Sequence, residues 1–491
     1  MNPYIFFFSR LDKTNSKHKA YIMSASQLRG VLLVSSKQAA RNSAVCFVRQ
    51  PAVSVLTRRY ISSSRKDMTS ATVHSQTSET KPQTGSYLDT LSSSELFGYG
   101  VIGLCTLSRP ILNLAIKIFP FTPLWMIKLL VYKNYCGGDT IPDVMKTGER
   151  LSQRGIRNMM VSYTVEACDG KKMSVSIDTI INETKKSVTD LLVPHTVRMI
   201  KEVGVDHINE VPPGYVALKP TGLIENAADI LLHYKEPAYQ ARFKQLYDTC
   251  VDIIAECESA NAALLKQYPT RKAPFICAIV DAERNDLQQA VYKLQRDLYA
   301  RFNKEKSVVV GTMQMYLKES SPNLLKEDEY ARKGGYKIGW KLVRGAYIHS
   351  EPDRGVIQDT KSDTDANYDS GIKNTLANMC SKSPTVGHLV VASHNADTQR
   401  MASDLLDKIT DPGVKANVVQ AQLLGMGDNI TYYLIKHRNA KNLIKYVPWG
   451  PPLETKEYLL RRLQENGDAV RADSGWPLVK GVVKSLFRKV F

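Results

Sequence analysis

One predicted helix near the end of the chain carries residues suited to binding a small carboxylate. A tyrosine, two adjacent arginines and a glutamate recur at i, i+3, i+4 and i+7, so they share one helix face. These residues are Tyr458, Arg461, Arg462 and Glu465. Arginine presents a planar fork that matches a carboxylate, whereas lysine does not. The alternative is an ordinary solvated charged face, so the choice depends on what the rest of the chain places nearby.

Eight apolar runs, each typical of a strand buried on both faces, alternate with helix-like stretches from Met159 onward. This alternation predicts a (β/α)8 barrel. A polar side chain follows or ends every run, and the carboxyl ends of parallel barrel strands share one rim, where barrel enzymes place their chemistry. These rim residues are Glu166, Lys219, Asp281, Gln314, Arg344 with Tyr347, His394 with Asn395, Gln422 and Tyr446. Together they predict one site.

The positive charge is concentrated at the N-terminus. The 491 residues carry a net charge of +18, and residues 1–66 contribute +11 of it. This basic, Ser-rich and acid-poor segment predicts a mitochondrial transit peptide, with a disordered basic tail as the alternative. We expect cleavage near Arg58–Ile61, and the true start is either Met1 or Met23. No nucleic-acid-binding motif accompanies the charge, so we expect no nucleic-acid partner.

Three further segments follow this leader. Residues 67–95 are rich in Ser and Thr and predict a disordered linker. Residues 96–158 predict an N-terminal helical arm, which either lies on a membrane or packs on the main domain. Charged residues and prolines interrupt its apolar sequence, so no run reaches the roughly 20 apolar residues of a spanning helix. Residues 159–491 contain the predicted barrel and a C-terminal tail.

Several common metal and cofactor signatures are missing from the sequence. The eight cysteines form no CxxC pair and predict neither a zinc site nor a disulfide framework. HExxH is absent as well, and we expect no metal. No GxGxxG follows the first strand, which argues against a nicotinamide cofactor bound to a Rossmann fold.

Seven motifs resemble those of proline dehydrogenases, in order and with suitable gaps, over residues 159–468. They are VALKPTG, IVDAE, TMQMYL, KLVRGAY, ASHN, AQLLGMGD and the pair KYVPWGP and YLLRRLQEN. The resemblance implies a distorted (β/α)8 barrel of the TIM type whose last helix lies over the mouth. It implies FAD as cofactor and hydride transfer from C5 of L-proline to flavin N5, which gives 1-pyrroline-5-carboxylate. It further implies ubiquinone as electron acceptor and peripheral association with the matrix side of the inner mitochondrial membrane.

The resemblance also assigns roles around the substrate. Three cations would hold the proline carboxylate, two acids would pair with those cations, and four side chains would enclose the pyrrolidine ring. The cations are Lys219, Arg461 and Arg462; the acids are Glu166 and Asp281; the enclosing residues are Tyr347, Leu423, Tyr446 and Tyr458. Such cations repel one another unless carboxylates offset their charge.

A second set of residues carries over as contacts to FAD. These are Gln314, Lys341, Val343, Gly345, Lys361, Ser393, His394, Asn395 and Glu465. Gly345 would let the backbone approach the flavin closely. Lys341 stands beside the expected position of flavin N5, where many bacterial relatives carry arginine. Ile348 replaces the tryptophan of those relatives.

Three alternatives remain at the level of sequence. The nearest is a hydroxyproline dehydrogenase, and Tyr446 separates the two, because the hydroxyproline-oxidising branch has a smaller serine there. A catalytically silent, membrane-associated barrel would be expected to lose rim residues such as Lys219. A basic nucleic-acid binder would need more charge than remains outside the leader. The sequence identifies neither the base that deprotonates the amine nor the oligomeric state.

Overall fold

Eight parallel strands close into a barrel in the computed structural model, which describes residues 87–164, 175–469 and 475–490. Each strand pairs with the next along the chain, and the last pairs with the first. The strands are β1 Asn158–Tyr163, β2 Gly214–Leu218, β3 Ile276–Val280, β4 Val309–Gln314, β5 Ile338–Val343, β6 Val386–Ala392, β7 Val418–Leu423 and β8 Leu443–Trp449. The predicted (β/α)8 barrel is therefore confirmed.

Helices precede the barrel and connect its strands. Those before β1 are α1 Ser93–Cys105, α2 Arg109–Ile118, α3 Leu124–Ile127, α4 Lys133–Tyr135 and α5 Ile141–Ser152, with a 3-10 turn Phe119–Phe121 and a π turn Lys128–Tyr132. Those between the strands are α6 Ile177–Lys186, α7 Val193–Val203, α8 Ala227–Leu232, α9 Pro237–Gln267, α10 Asn285–Phe302, α11 Ser320–Gly334, α12 Lys361–Met379, α13 Ala396–Lys408, α14 Pro412–Ala416 and α15 Asp428–Arg438. After β8 come α16 Pro452–Ala469, here the lid helix, and α17 Trp476–Val490, here the C-terminal helix.

The strands are mostly apolar because both of their faces are buried. One face packs against the surrounding helices, and the other fills the barrel lumen. The lumen residues are Met160, Tyr215, Cys277, Ile279, Val310, Val390, Val419, Ala421 and Ile444. Tyr446 packs at the edge of this cluster, so the lumen is a filled core whose uppermost layer belongs to the site.

Residues 87–136, here the arm, pack against the lid helix and the C-terminal helix. Their shared apolar cluster includes Leu88 and Tyr99 from the arm, Tyr458 and Leu459 from the lid helix, and Leu478 from the C-terminal helix. Ordered structure therefore starts before residue 96, because residues 87–95 belong to the arm and not to a linker. The predicted transit peptide and the rest of the predicted linker lie outside the described residues.

Two buried polar contacts fix the arm to the barrel unit. Ser92 and Glu95 form a capping box that starts α1, and the Glu95 carboxylate also receives Arg150 at 2.6 Å and Arg154 at 2.7 Å. Deeper in the interface, Lys445 of β8 lies 2.7 Å from Asp428, which also accepts the hydroxyl of Tyr99. A charge buried this deeply needs a partner, so these contacts specify how the arm docks.

Among the described residues, no single helix is both long and apolar enough to cross a bilayer. One pair, Ser93–Cys105 with Arg109–Phe121, meets the length and composition criteria together but is bent by 114°.

Replacing Glu95 by Gln tests the docking of the arm. Burial alone would raise the pKa of Glu95, but Arg154 and the hydrogen bonds from Ser92 lower it to about 2. Because this pKa is depressed, the ionised carboxylate stabilises the fold at pH values above the unfolded-state pKa. This stabilisation is lost as the pH falls toward 2. We expect Glu95→Gln to lower the free energy of unfolding by about 3 kcal/mol at pH 7.

The difference in the free energy of unfolding between Glu95→Gln and the parent protein should shrink by about 1.4 kcal/mol per pH unit below roughly pH 4.5. Urea unfolding at several pH values measures both quantities. A difference that stays constant from pH 7 to pH 3 would contradict the assignment.

Candidate active site

A buried ion pair stands at the top of the barrel lumen. Lys341, in β5, donates from Nζ to Oδ1 of Asp281, which directly follows β3. The hydroxyl of Tyr446, in β8, donates to the other carboxylate oxygen at 3.1 Å. Lys341 is only 6% exposed, and its Nζ lies 5.6 Å from the centre of the Tyr446 ring. Asp281 therefore holds side chains from two other strands in one layer.

This geometry corrects the predicted partner of Asp281. The sequence analysis expected Asp281 to offset Lys219 and the two arginines of the lid helix, but its carboxylate is paired with Lys341 and Tyr446. The reason is the strand register, which pairs Val280 with Gly311 and Thr312 with Lys341 and so places Lys341 level with the end of β3. Glu166, the other predicted acid, lies outside the described residues.

The lid helix follows β8 through a turn at Gly450 and is fixed near the end of β1. Thr455, in its first turn, is fully buried and shares a hydrogen bond of 3.1 Å with Thr164, which follows β1. Further along the helix, Tyr458 packs in one cluster with Leu423, the last residue of β7. The side chains of this helix therefore reach the mouth of the barrel. The arrangement accords with the predicted placement of the last helix over the mouth.

The two arginines of the lid helix have different surroundings. Tyr458 is 7% exposed and Arg462 is partly buried, with its guanidinium carbon 5.0 Å from the centre of the Tyr458 ring. Arg461 is more exposed. Glu465 lies in the same helix, but its side chain is outside the described part of the structure. Lys219 follows β2 and is partly buried.

The predicted ring-enclosing residues are brought together in part. Leu423 and Tyr446 are register partners on β7 and β8. Leu423 also packs against the cluster that contains Tyr458. Tyr347 lies on the loop after β5, where its hydroxyl donates to Glu283 at 3.1 Å. Three of the four residues are thus linked by packing or pairing, and the fourth is held by a carboxylate.

Glu283 is a site residue that the sequence reasoning missed. Its carboxylate accepts the backbone N–H of Thr221 at 3.2 Å and the Thr221 hydroxyl at 2.8 Å, in addition to the Tyr347 hydroxyl. Its backbone carbonyl accepts a bond from Gln314 at 2.8 Å. Glu283 therefore joins the ends of β2, β3, β4 and β5. The signal was present in the motif IVDAE, two residues after Asp281.

The predicted flavin-side residues are arranged as a scaffold. Gln314 is fully buried, and besides its bond to Glu283 its side-chain oxygen accepts the backbone N–H of Ala346 at 3.4 Å. Val343 ends β5 and is partly buried. Gly345 is required by packing, because a Cβ there would lie 2.1 Å from the Tyr316 ring. Its predicted role in close approach to a flavin remains a prediction.

A network of charges surrounds the next part of the rim. Arg344 pairs with Asp365 and donates to Ser393 at 3.1 Å and to Thr398 at 2.6 Å. Lys361, at the start of α12, is exposed and lies 2.7 Å from Asp365. Asn395 caps α13 by accepting the N–H of Thr398 at 3.0 Å. Two helix N-termini and two cations thus meet here, a donor set that suits an anionic phosphate group.

His394 connects this network to the predicted substrate wall. Its Nε2 lies 3.0 Å from the backbone nitrogen of Leu423 and accepts that N–H. Desolvation, together with the positive charges of Lys445 and Arg462, lowers the pKa of His394 below its usual value. The side chain of His394 is exposed at the rim, and its unprotonated Nε2 acts as this acceptor.

The comparisons with known proteins identify the family. The family model described as proline dehydrogenase matches residues 144–473, about two thirds of the chain. The chain belongs to the proline dehydrogenase family. A probable mitochondrial proline dehydrogenase of Schizosaccharomyces pombe is 30% identical over 397 residues, covering 69% of this chain and 75% of that protein. The mitochondrial proline dehydrogenase 1 of Dictyostelium discoideum is 25% identical over 443 residues, covering 82% of this chain and 73% of the relative.

Solved structures agree with the fold of this proline dehydrogenase family member. Proline utilization A from Bdellovibrio bacteriovorus, inactivated by N-propargylglycine, superposes with a TM-score of 0.55 at 16% identity. The match covers 82% of this chain and 40% of that protein, so the chain corresponds to less than half of the longer protein. The resemblance supports the barrel architecture, and the roles of individual residues remain predictions.

Glu283→Gln tests whether this carboxylate positions the site. The amide keeps the shape but replaces one carboxylate oxygen by an NH2 group, which faces the donors of either Thr221 or Tyr347, and each lost charge-assisted bond costs about 1.5–3 kcal/mol. We expect kcat/KM for proline to fall about tenfold or more, mainly through a higher KM. Steady-state kinetics with an artificial electron acceptor measures this split.

Tyr347→Phe serves as the matched comparison, because it removes one of the three bonds and should have a smaller effect. Equal thermal stability of both variants and the parent would exclude a folding defect. Unchanged proline kinetics in Glu283→Gln would remove Glu283 from the site.

Proposed function

We propose that this protein is an FAD-dependent L-proline dehydrogenase that yields 1-pyrroline-5-carboxylate. Membership of the family supports proline oxidation. The observation that carries the finer assignment is the arrangement of the mouth, in which Tyr458 and Arg462 of the lid helix approach a barrel rim that carries Asp281, Lys341 and Tyr446. A small carboxylate-bearing ring would lie between the apolar side chains of this mouth and these cations.

The proline carboxylate would bind to Arg461 and Arg462 of the lid helix and to Lys219 after β2. Arg462 is partly buried, so a salt bridge from it is screened less than one at an open surface. Leu423, Tyr446 and Tyr458 would then pack on the apolar carbons of the ring. Binding at both ends would fix the orientation of the ring, which lowers the entropic cost of reaching the reactive geometry.

The residues of the rim fit an FAD cofactor. Arg344, Lys361 and the N-termini of α12 and α13 would hold its phosphates, with Ser393 and Asn395 beside them. When bound, FAD would supply the acceptor for the hydride that leaves proline C5. Lys341 would contribute positive charge near the isoalloxazine ring, and Asp281 keeps that lysine in place. Val343, Gly345, His394 and Glu465 complete the proposed set of contacts.

The electron acceptor and location are also proposals. We infer ubiquinone as acceptor, and peripheral association with the matrix side of the inner mitochondrial membrane. The relatives above are named as mitochondrial. The basic N-terminal residues 1–66, predicted to be a transit peptide, support the same location.

The visible spectrum of the purified protein tests the reaction. A bound flavin gives a yellow absorption band, and anaerobic addition of L-proline should bleach it as the flavin is reduced. The imine product can be trapped with an aromatic aldehyde-amine reagent. A colourless protein that gains no activity with added FAD would refute the assignment of the cofactor.

Arg461→Met and Arg462→Met test the carboxylate clamp. Each substitution removes a charge-assisted contact of about 1.5–3 kcal/mol, so we expect KM for proline to rise roughly 10- to 150-fold while FAD stays bound. Titration of proline with each variant, alongside flavin absorbance, gives both values. Arg242→Met, on the outer face of the barrel, is the control, and a near-parental KM in both test variants would refute the clamp.

Tyr446 is expected to decide selectivity between proline and trans-4-hydroxyproline. Its ring lies at the lumen edge with its hydroxyl fixed by Asp281, so there is little room beside it for a 4-hydroxyl group. We expect the parent protein to prefer proline, and Tyr446→Ser to shift kcat/KM toward hydroxyproline by at least about tenfold. Comparable turnover of both substrates by the parent would favour hydroxyproline dehydrogenase, the alternative function.

A further inference from the structure

Exposed apolar side chains are concentrated on one side of the protein. Fourteen of the nineteen large apolar side chains exposed on the described part of the chain lie on the arm, the lid helix or the C-terminal helix. The most exposed of these fourteen are Phe121 at 86%, Trp125 and Leu129 at 66% each, and Phe487 at 62%. Scattered exposed apolar residues are normal, but a concentration of this kind marks a binding surface.

The contributing elements pack directly on one another, so they form one face. A Cβ at Gly103 of α1 would lie 2.9 Å from a methyl carbon of Val479 in the C-terminal helix. The backbone N–H of Gly475 donates to the hydroxyl of Thr106 at 3.0 Å. Residues distant in sequence therefore present their apolar side chains on a shared surface, here the basic-apolar face.

The charge of this face selects its partner. Residues 96–135 contain four basic residues and no acid, and residues 476–490 contain four basic residues and no acid. Trp125 and Trp476 are exposed among them, and tryptophan favours the boundary between headgroups and acyl chains. Basic side chains around an apolar surface are attracted to anionic lipid headgroups.

We propose that the basic-apolar face binds the surface of an anionic phospholipid bilayer without a helix that crosses it. No single described helix is long and apolar enough to cross a bilayer, and both α1 and α2 carry exposed apolar side chains, as expected of helices that lie on a bilayer. Two of these eight basic residues are paired with acids, Lys128 with Asp139 and Arg488 with Asp89, and the others leave the face with an excess of positive charge. A second copy of this chain is therefore the poorer partner, because two such faces would repel each other. The inference deepens the membrane association put forward under the proposed function.

The face is joined to the lid of the site. Lys456 of the lid helix donates from Nζ to the carbonyl oxygens of Pro120 at 2.6 Å and Thr122 at 2.8 Å. These oxygens flank Phe121, the most exposed apolar residue of the face. A bilayer bound here would lie beside the helix that carries Tyr458 and Arg462, where a lipid-soluble electron acceptor could reach the mouth without leaving the membrane.

Sedimentation with lipid vesicles tests the proposal with the purified full chain. We expect binding to phosphatidylcholine vesicles that contain phosphatidylglycerol, weaker binding to phosphatidylcholine alone, and a decrease with added salt. The double substitution Phe121→Ser with Trp125→Ser should reduce the partition coefficient at least about tenfold, because two large apolar side chains no longer enter the lipid.

The matched control is Leu232→Ser with Leu325→Ser, which removes two apolar side chains exposed at 52% and 68% on the barrel helices and should leave vesicle binding unchanged. Reduction of a water-soluble dye by proline should be the same in all three proteins, so a failure of the proposed reaction is scored separately. Equal binding of the test variant and the parent would overturn the proposal. So would a parent that ignores anionic vesicles, or a dimer that the test substitutions dissociate.

Discussion

A lysine and an aspartate meet inside the barrel mouth, and each would be costly there without the other. Lys341 and Asp281 come from strands separated by β4, and Tyr446 supplies the second bond to the carboxylate. A buried charge is tolerated only when it is paired, so removing either partner leaves the other exposed to the full cost of desolvation. The contacts of Asp281 with Lys341 and Tyr446 therefore connect the ends of β3, β5 and β8 at the level of the barrel where the chemistry is proposed.

Around this pair, the rim is organised by residues that need not touch a ligand themselves. Glu283 holds the loop after β2 and the tyrosine after β5, and His394 holds the backbone of Leu423. Arg344 ties α12 to α13 through Asp365 and Thr398. Side chains that bind small molecules must stay within fractions of an ångström of their working positions, and the surrounding hydrogen bonds provide that rigidity.

The alternating strands and helices could be predicted from the sequence, whereas the side-chain pairs at the barrel rim could not. Continuous apolar runs predict buried parallel strands, so the rim positions of Lys219, Asp281 and Tyr446 follow from strand order alone. Which cation pairs with Asp281 depends on its height in the lumen, and that is set by the stagger of the strands. Glu283 was missed for the same reason, since an acid after a strand has no partner until the neighbouring loops are placed. Gly345 was predicted to contact FAD, and that role stays a prediction. Its close packing against the Tyr316 ring could not be read from the sequence.

The contact between Tyr99 and Asp428 changes where the independently folding unit begins. The family match starts at residue 144, yet Asp428 and its lysine partner are covered by helix α1, which ends at Cys105. A recombinant fragment cut at the family boundary would uncover the apolar cluster beneath the lid and remove one hydrogen bond from the partly buried carboxylate of Asp428. Shortened versions for crystallisation therefore need to retain the chain from about Tyr87 onward.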